Sequence, residues 1–141
     1  AYGGDLGDID IEGGDGMVLN SVKWSADKSH LLREFSVVSA GQEVVRGQQR
    51  IAVDPLSGTV KGWAFDSDGG YGESVWAKSG DEWIVRASGV TSDGDTSGAT
   101  YVIKPLTKDK IELKTMHKIV GETVEADTTT VMVRRVALPG R

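Results

Sequence analysis

The ten residues KIELKTMHKI, positions 110–119, alternate in character. Lys110, Glu112, Lys114 and Lys118 fall on one parity, while Ile111, Leu113, His117 and Ile119 fall on the other. A period of two sends successive side chains to opposite faces of a pleated ribbon, so the stretch reads as a β-strand with one dry face. The same pattern, followed outward, predicts strands over 17–25, 30–40, 43–53, 59–66, 71–78, 82–91, 97–104, 110–120 and 124–136. A short first strand over 8–12 alternates Ile9 and Ile11 with acids. Between these segments lie ADKS (26–29), GQ (41–42), DPLSG (54–58), SDGG (67–70), SGD (79–81), SDGDT (92–96) and TKD (107–109). Their Gly, Asp, Ser and Pro residues tolerate or pre-set turn dihedrals.

Connections this short exclude parallel neighbours, which need crossovers of about a dozen residues or more. No helical periodicity of useful length interrupts the pattern. The expected fold is therefore all-β: an antiparallel up-and-down meander of nine or ten strands. Closing such a meander on itself removes the unpaired edges that invite aggregation, which predicts a lipocalin-like barrel. With 141 residues, a single domain over 1–141 is expected, 1–16 forming an acidic, Gly-rich N-terminal segment.

Composition narrows the functional classes. The chain has no cysteine, so disulfides, thiolate metal sites and cysteine nucleophiles are excluded. No apolar run approaches the ~20 residues of a membrane-spanning helix, and no membrane insertion is expected. The net charge of −5 resides at the N-terminus: Asp5, Asp8, Asp10, Glu12 and Asp15 meet no Lys or Arg before residue 17, and the remainder is balanced. Without a basic stripe to neutralise phosphates, nucleic acid is not an expected partner. The chain begins Ala-Tyr, which fits a processed secreted protein or a piece of a longer chain.

The segments LLREFSV (31–37), GQQRIAVDPLSGTVKGWAFDSDGGYGESVW (47–76) and DEWIVRASGVTSDGDTSGAT (81–100) follow one another in an order that resembles a family of uncharacterised bacterial lipocalin-like domains. Such domains often lie C-terminal to a SnoaL-like domain in exported or cell-envelope proteins. The resemblance spans about 6–136 and implies a calycin-type barrel and a secreted, periplasmic or envelope location. It implies no activity. The chain departs from the family at its start, where a Trp is expected near Ile9 after a Gly-Glu pair and Gly7-Asp8 stands instead.

Two acidic loops invite comparison with calcium sites. Counting an EF-hand loop from Asp66 puts Tyr71 at the glycine position and Ala77 at the glutamate position, and counting from Asp93 puts Lys104 at the latter. Both read as turns, with Gly69 and Gly70 supplying positive φ at the first. No metal site, cofactor or catalytic set is expected, since no Gly-x-Ser-x-Gly elbow or His-Glu-x-x-His pair occurs.

Polar residues on apolar parities carry more information. Arg33 alternates with Leu31, Phe35 and Val37, and Gln49 with Val45, Gly47, Ile51 and Val53. A buried charge is costly unless compensated, so Arg33 calls for a partner: Glu73 or a ligand carboxylate. His117 shares a parity with Ile111, Leu113 and Ile119 and is expected inside; His30 opens a strand and is expected outside. Arg33, Gln49, Trp63, Phe65, Trp83 and His117 form the expected ligand-binding set, though core packing is the default for each aromatic. The sequence thus points to a non-enzymatic binding module for a small hydrophobic or amphiphilic molecule. The alternative is an extracellular assembly protein, a homo-oligomer whose acidic N-terminal segment pairs with a basic end containing Arg134, Arg135 and Arg141 of another subunit.

Overall fold

A computed structural model describes residues 4–10 and 16–133. Among these, the regular elements are all strands: β1 (Gly4–Asp10), β2 (Gly16–Trp24), β3 (Leu31–Ser39), β4 (Gln42–Val53), β5 (Val60–Asp66), β6 (Tyr71–Ser79), β7 (Glu82–Val90), β8 (Thr96–Thr107), β9 (Lys110–Val120), β10 (Thr123–Val124) and β11 (Thr128–Val133). From β1 to β9 each strand pairs antiparallel with the next. β10 and β11 both pair with β9, and β11 pairs with β1. The meander therefore curls strongly and returns to its own first strand, as an up-and-down barrel does. Its closing seam is thin, with Ile9 opposite Met132 as its registered pair.

Three strands differ from the expected bounds. The first, Gly4–Asp10, begins four residues earlier than expected, and the expected positions 11 and 12 lie outside the described residues. β8 continues through Pro105, which lies beyond the last β7 partner at Trp83–Ile103 and beside a register shift, so its missing N–H costs no rung on that side. The expected strand 124–136 is split into β10 and β11, whose pairings with β9 share one register (Val124–Ile119, Thr128–Thr115). The basic residues Arg134, Arg135 and Arg141, and residues 1–3 and 11–15 of the acidic segment, lie outside the described residues.

The split marks a bulge. His117 adopts φ 53°, a left-handed conformation rare for a residue with a side chain, and its N–H donates to the Asp127 carboxylate at 3.3 Å. The register against β8 shifts between Thr100–Met116 and Gly98–Ile119. One extra residue exchanges the faces of everything beyond it. Lys118 consequently takes the half-buried side, whereas Ile119 is 43% exposed. The alternation of residues 110–115 is as expected; that of 117–119 is reversed, and His117 is exposed rather than interior.

The concave face is uneven. Ile51 and Val85 are its buried hydrophobic residues, and Trp76 and Trp83 meet edge to face at 6.3 Å. Elsewhere it presents Gly62, Ala64, Gly72, Ala87, Gly89 and Ala99 in facing register across β5 to β8. Curling a sheet crowds its inner surface, and small residues allow that curvature.

Candidate functional site

Gly62 is the pivot of the concave face. A Cβ there would lie 2.5 Å from Ser74 Oγ and 2.8 Å from Gln49 Nε2. The bare backbone of β5 thus lets side chains from β4 and β6 meet above it. Gln49 Nε2 donates to Ser74 Oγ at 3.4 Å, and Trp76 Nε1 donates to the same oxygen at 2.9 Å. Ser74 is only 5% exposed, so these donors stand in for water.

From Gln49 the polar ladder continues toward β2. Arg33 Nη1 donates to Gln49 Oε1 at 3.3 Å, and Arg33 Nε to Asn20 Oδ1 at 2.8 Å. The Arg33 guanidinium carbon sits 4.6 Å from the Phe35 ring centre, a cation–π contact. A Cβ at Gly47 would overlap the Phe35 ring, so that glycine keeps the ring and the guanidinium in place. Five side chains on four strands, Asn20, Arg33, Gln49, Ser74 and Trp76, are thereby linked.

The ladder is unbalanced in charge. Arg33's acceptors are both neutral amides, and among the described residues it forms no ion pair. Desolvation pulls its pKa down to about 10, opposed by Tyr101 and Asp66, which favour the cation. Asp66 is felt across space but does not pair with it. Burial, then the like charge of Asp68, raise the Asp66 carboxyl above its ordinary value, and Arg33 only partly offsets them. Glu73, the partner anticipated for Arg33, stands on the opposite parity of β6 and is exposed. The amide of Asn20 is 6% exposed, and its Nδ2 has no hydrogen-bond acceptor.

Beside the ladder lies an open-mouthed hollow of about 180 Å³. Gln49, Ser74 and Tyr101 give it polar walls, and Ala64, Ala87 and Ala99 an apolar floor. Asp66, Tyr71 and Lys118 border its mouth, and Glu73 reaches its edge from the neighbouring parity of β6.

Of the six anticipated residues, the structure brings Arg33 and Gln49 into contact and places Trp83 on the same face against Trp76. It does not bring Trp63, Phe65 or His117 there. Gly62 and Ala64 occupy the concave parity of β5, so Trp63 and Phe65 take the convex one, where Phe65 is 66% exposed. Asn20 and Ser74 were not anticipated. The rule that singled out Arg33 applies to Asn20 as well, since it alternates with Val18, Val22 and Trp24.

The acidic loops are built as turns. Gly69 N donates to Asp66 O, Asp66 N to Gly70 O, and Gly70 N to Asp68 Oδ1, at 2.8–3.1 Å. Gly69 alone of the glycine pair is left-handed, at φ 98°. At the second loop, Thr91 exchanges backbone bonds with Gly94 and Asp95. Among the described residues, no three His, Asp or Glu side chains cluster as metal ligands would. His30 is half-buried, its Nδ1 2.8 Å from Ser29 Oγ. Compared with protein-family models and with curated proteins, the chain matches none.

Proposed function

We propose that this protein is a non-enzymatic binding module that takes a small hydrophobic or amphiphilic molecule on the concave side of its barrel-like sheet. The observation that carries the reading is the hollow itself: an alanine floor beside a fixed polar ladder, left uncovered by the chain's own large side chains. Binding pockets combine such apolar surface with a few convergent polar groups. Ser74 Oγ receives two donors rather than facing a general base, which suits a positioning group better than a nucleophile. The lipocalin-like resemblance and the secreted or envelope location it implies belong to this proposal. Native mass spectrometry of protein purified from its own source tests it: a bound small molecule is the expected result, and a bare chain under conditions gentle enough to retain ligands counts against it.

The thin β1–β11 seam favours a second reading, assembly by exchange of β1 between subunits. That reading predicts concentration-dependent oligomers that weaken when residues 1–16 are removed. A monomer unaffected by that truncation excludes it.

A further inference from the structure

The up-and-down topology sends the turns after β3, β5, β7 and β9 to one end of the barrel. That end is acidic. Asp66 and Asp68 stand at the β5–β6 turn, Asp93 and Asp95 in the β7–β8 loop, Glu122 after β9 and Asp127 before β11. The cations close to these turns are already matched, Arg46 with Glu43 at 2.7 Å and Lys118 with Glu125 at 3.1 Å. The turns at the other end mix their signs: Lys28 follows Asp27, Lys78 lies near Asp81 and Lys108 precedes Asp109. Two of the acidic loops touch one another, since Gly121 N donates to Thr96 O at 2.8 Å and a Cβ at Gly121 would lie 3.4 Å from the Asp95 carboxyl.

The hollow opens at this acidic end, for its lining includes the last residue of β5, Asp66, and the first of β6, Tyr71. Asp66 shares the concave parity of Gly62 and Ala64. Its oxygens lie against glycines: a Cβ at Gly47 would be 2.9 Å from Oδ1, and one at Gly70 3.0 Å from Oδ2. The Gly70 N–H goes to Asp68 instead, and among the described residues the Asp66 carboxylate has neither a hydrogen-bond donor nor an ion pair. Arg33 acts on it only across space, its N–H groups being held by Asn20 and Gln49. A half-buried carboxylate among like charges is stabilised by a cation, and a cleft edged by one sign of charge concentrates counter-ions. Among the described residues these carboxylates do not converge as metal ligands would, so the cation that suits them is an organic one.

Size limits what the cation can carry. A cavity of ~150 Å³ accommodates a benzene ring, whereas drug-sized ligands occupy roughly 300–1,000 Å³. At about 180 Å³, this one suits a single ring or a short chain. Anchor and floor belong to one strand face: Ala64 stands two residues from Asp66 on β5, about 7 Å along the strand, which one ring and a methylene bridge. We infer that the ligand is a small organic monocation, a primary ammonium on one ring or a short alkyl chain, drawn in by the acidic end of the barrel and held by Asp66 with its apolar body over the Ala64, Ala87 and Ala99 floor. The inference rests on the binding-module reading above. The raised pKa of Asp66 fits it, because an arriving cation relieves the burial and the repulsion from Asp68 that cause the rise.

Calorimetric titration of the full chain at pH 7 with benzylamine, benzoate and the neutral benzyl alcohol tests it. The expected result is benzylamine bound about 10- to 100-fold tighter than benzyl alcohol, and benzoate bound more weakly than either. Asp66→Asn is expected to remove the amine's advantage while leaving benzyl alcohol within about two-fold, and Asp109→Asn, at the opposite end, to leave every affinity within about two-fold. Should Asp66→Asn fail to fold, the comparison of benzylamine with benzyl alcohol on the unaltered chain still decides. Equal affinity for those two, or a preference for benzoate, overturns the monocation while leaving the binding module standing. An amine preference that survives Asp66→Asn overturns the placement at Asp66; no binding of any of the three compounds overturns both readings.

Discussion

Gly62→Ala is the sharpest perturbation of the ladder. Gly62 has no left-handed φ, so alanine meets no backbone strain there, and the loss of chain entropy in the unfolded state alone favours it by about 0.4–1 kcal/mol. The folded state opposes it more strongly. The new methyl would stand 2.5 Å from Ser74 Oγ and 3.3 Å from Trp76 Nε1, forcing the hydroxyl to rotate away. That breaks the 2.9 Å bond from Trp76 and the weaker 3.4 Å bond from Gln49, and leaves a half-buried indole N–H without its acceptor. Stranding a buried donor costs about 1–3 kcal/mol, and over-packing adds roughly another 1 kcal/mol or more. The net expectation is destabilisation of about 1–3 kcal/mol, a fall in Tm of roughly 4–12 °C for a chain of this length. Urea unfolding followed by tryptophan fluorescence reads it directly, because Trp76 lies at the junction. The same change in a Ser74→Ala background meets no hydroxyl, only the end of the Gln49 side chain, and should cost about 1 kcal/mol less than in the parent, a non-additive pair. A stabilising Gly62→Ala, or strict additivity with Ser74→Ala, refutes the ladder.

Other perturbations follow from neighbouring features. Ala40 and Gly41 form the β3–β4 turn with φ of 51° and 76°, the two-residue hairpin geometry that favours Asn-Gly, so Ala40→Asn should raise stability by about 0.5–1 kcal/mol in the same urea assay. Asp27, Asp54 and Glu43 accept bonds from Ser25 and Ser29, from the Leu56 amide and Lys61, and from Ser36 and Arg46 respectively, which hold their carboxyls below the ordinary range. Their contribution is complete above the unfolded values of 3.8 and 4.5 and is lost as pH falls through the depressed folded ones; urea midpoints should decline from pH 5 to pH 2, and Asp27→Asn should flatten that decline. Asp66 has the opposite sign. Its folded pKa is raised, so it is protonated more readily when folded and costs stability as pH rises past 3.8. Asp66→Asn should therefore unfold at higher urea than the parent at pH 7 and at nearly the same urea at pH 3.

Much of the fold was legible because the strands alternate and the turns are short. The bounds of β4 to β7 and β9 fall within one residue of those read from side-chain parity. Parity failed at His117, where a left-handed residue and an aspartate-capped amide insert a bulge that no pattern of hydrophobicity reveals. It also misplaced Trp63 and Phe65. Bulk usually means burial, but this sheet curls so strongly that its inner face selects Gly62 and Ala64 and sends the rings outward. Arg33 and Gln49 were legible as polar residues among apolar ones, whereas their junction with Ser74 was not. That contact spans an intervening strand and exists only because Gly62 carries no side chain.

The central claim is that the alanine-floored hollow is open and receives a ligand. Methyl-selective NMR of the alanines during a benzylamine titration addresses it most directly. Saturable shifts of the Ala64, Ala87 and Ala99 methyls, with the exposed Ala40 methyl unmoved, are predicted. Floor methyls that stay fixed while convex-face resonances such as Val75 move would contradict it.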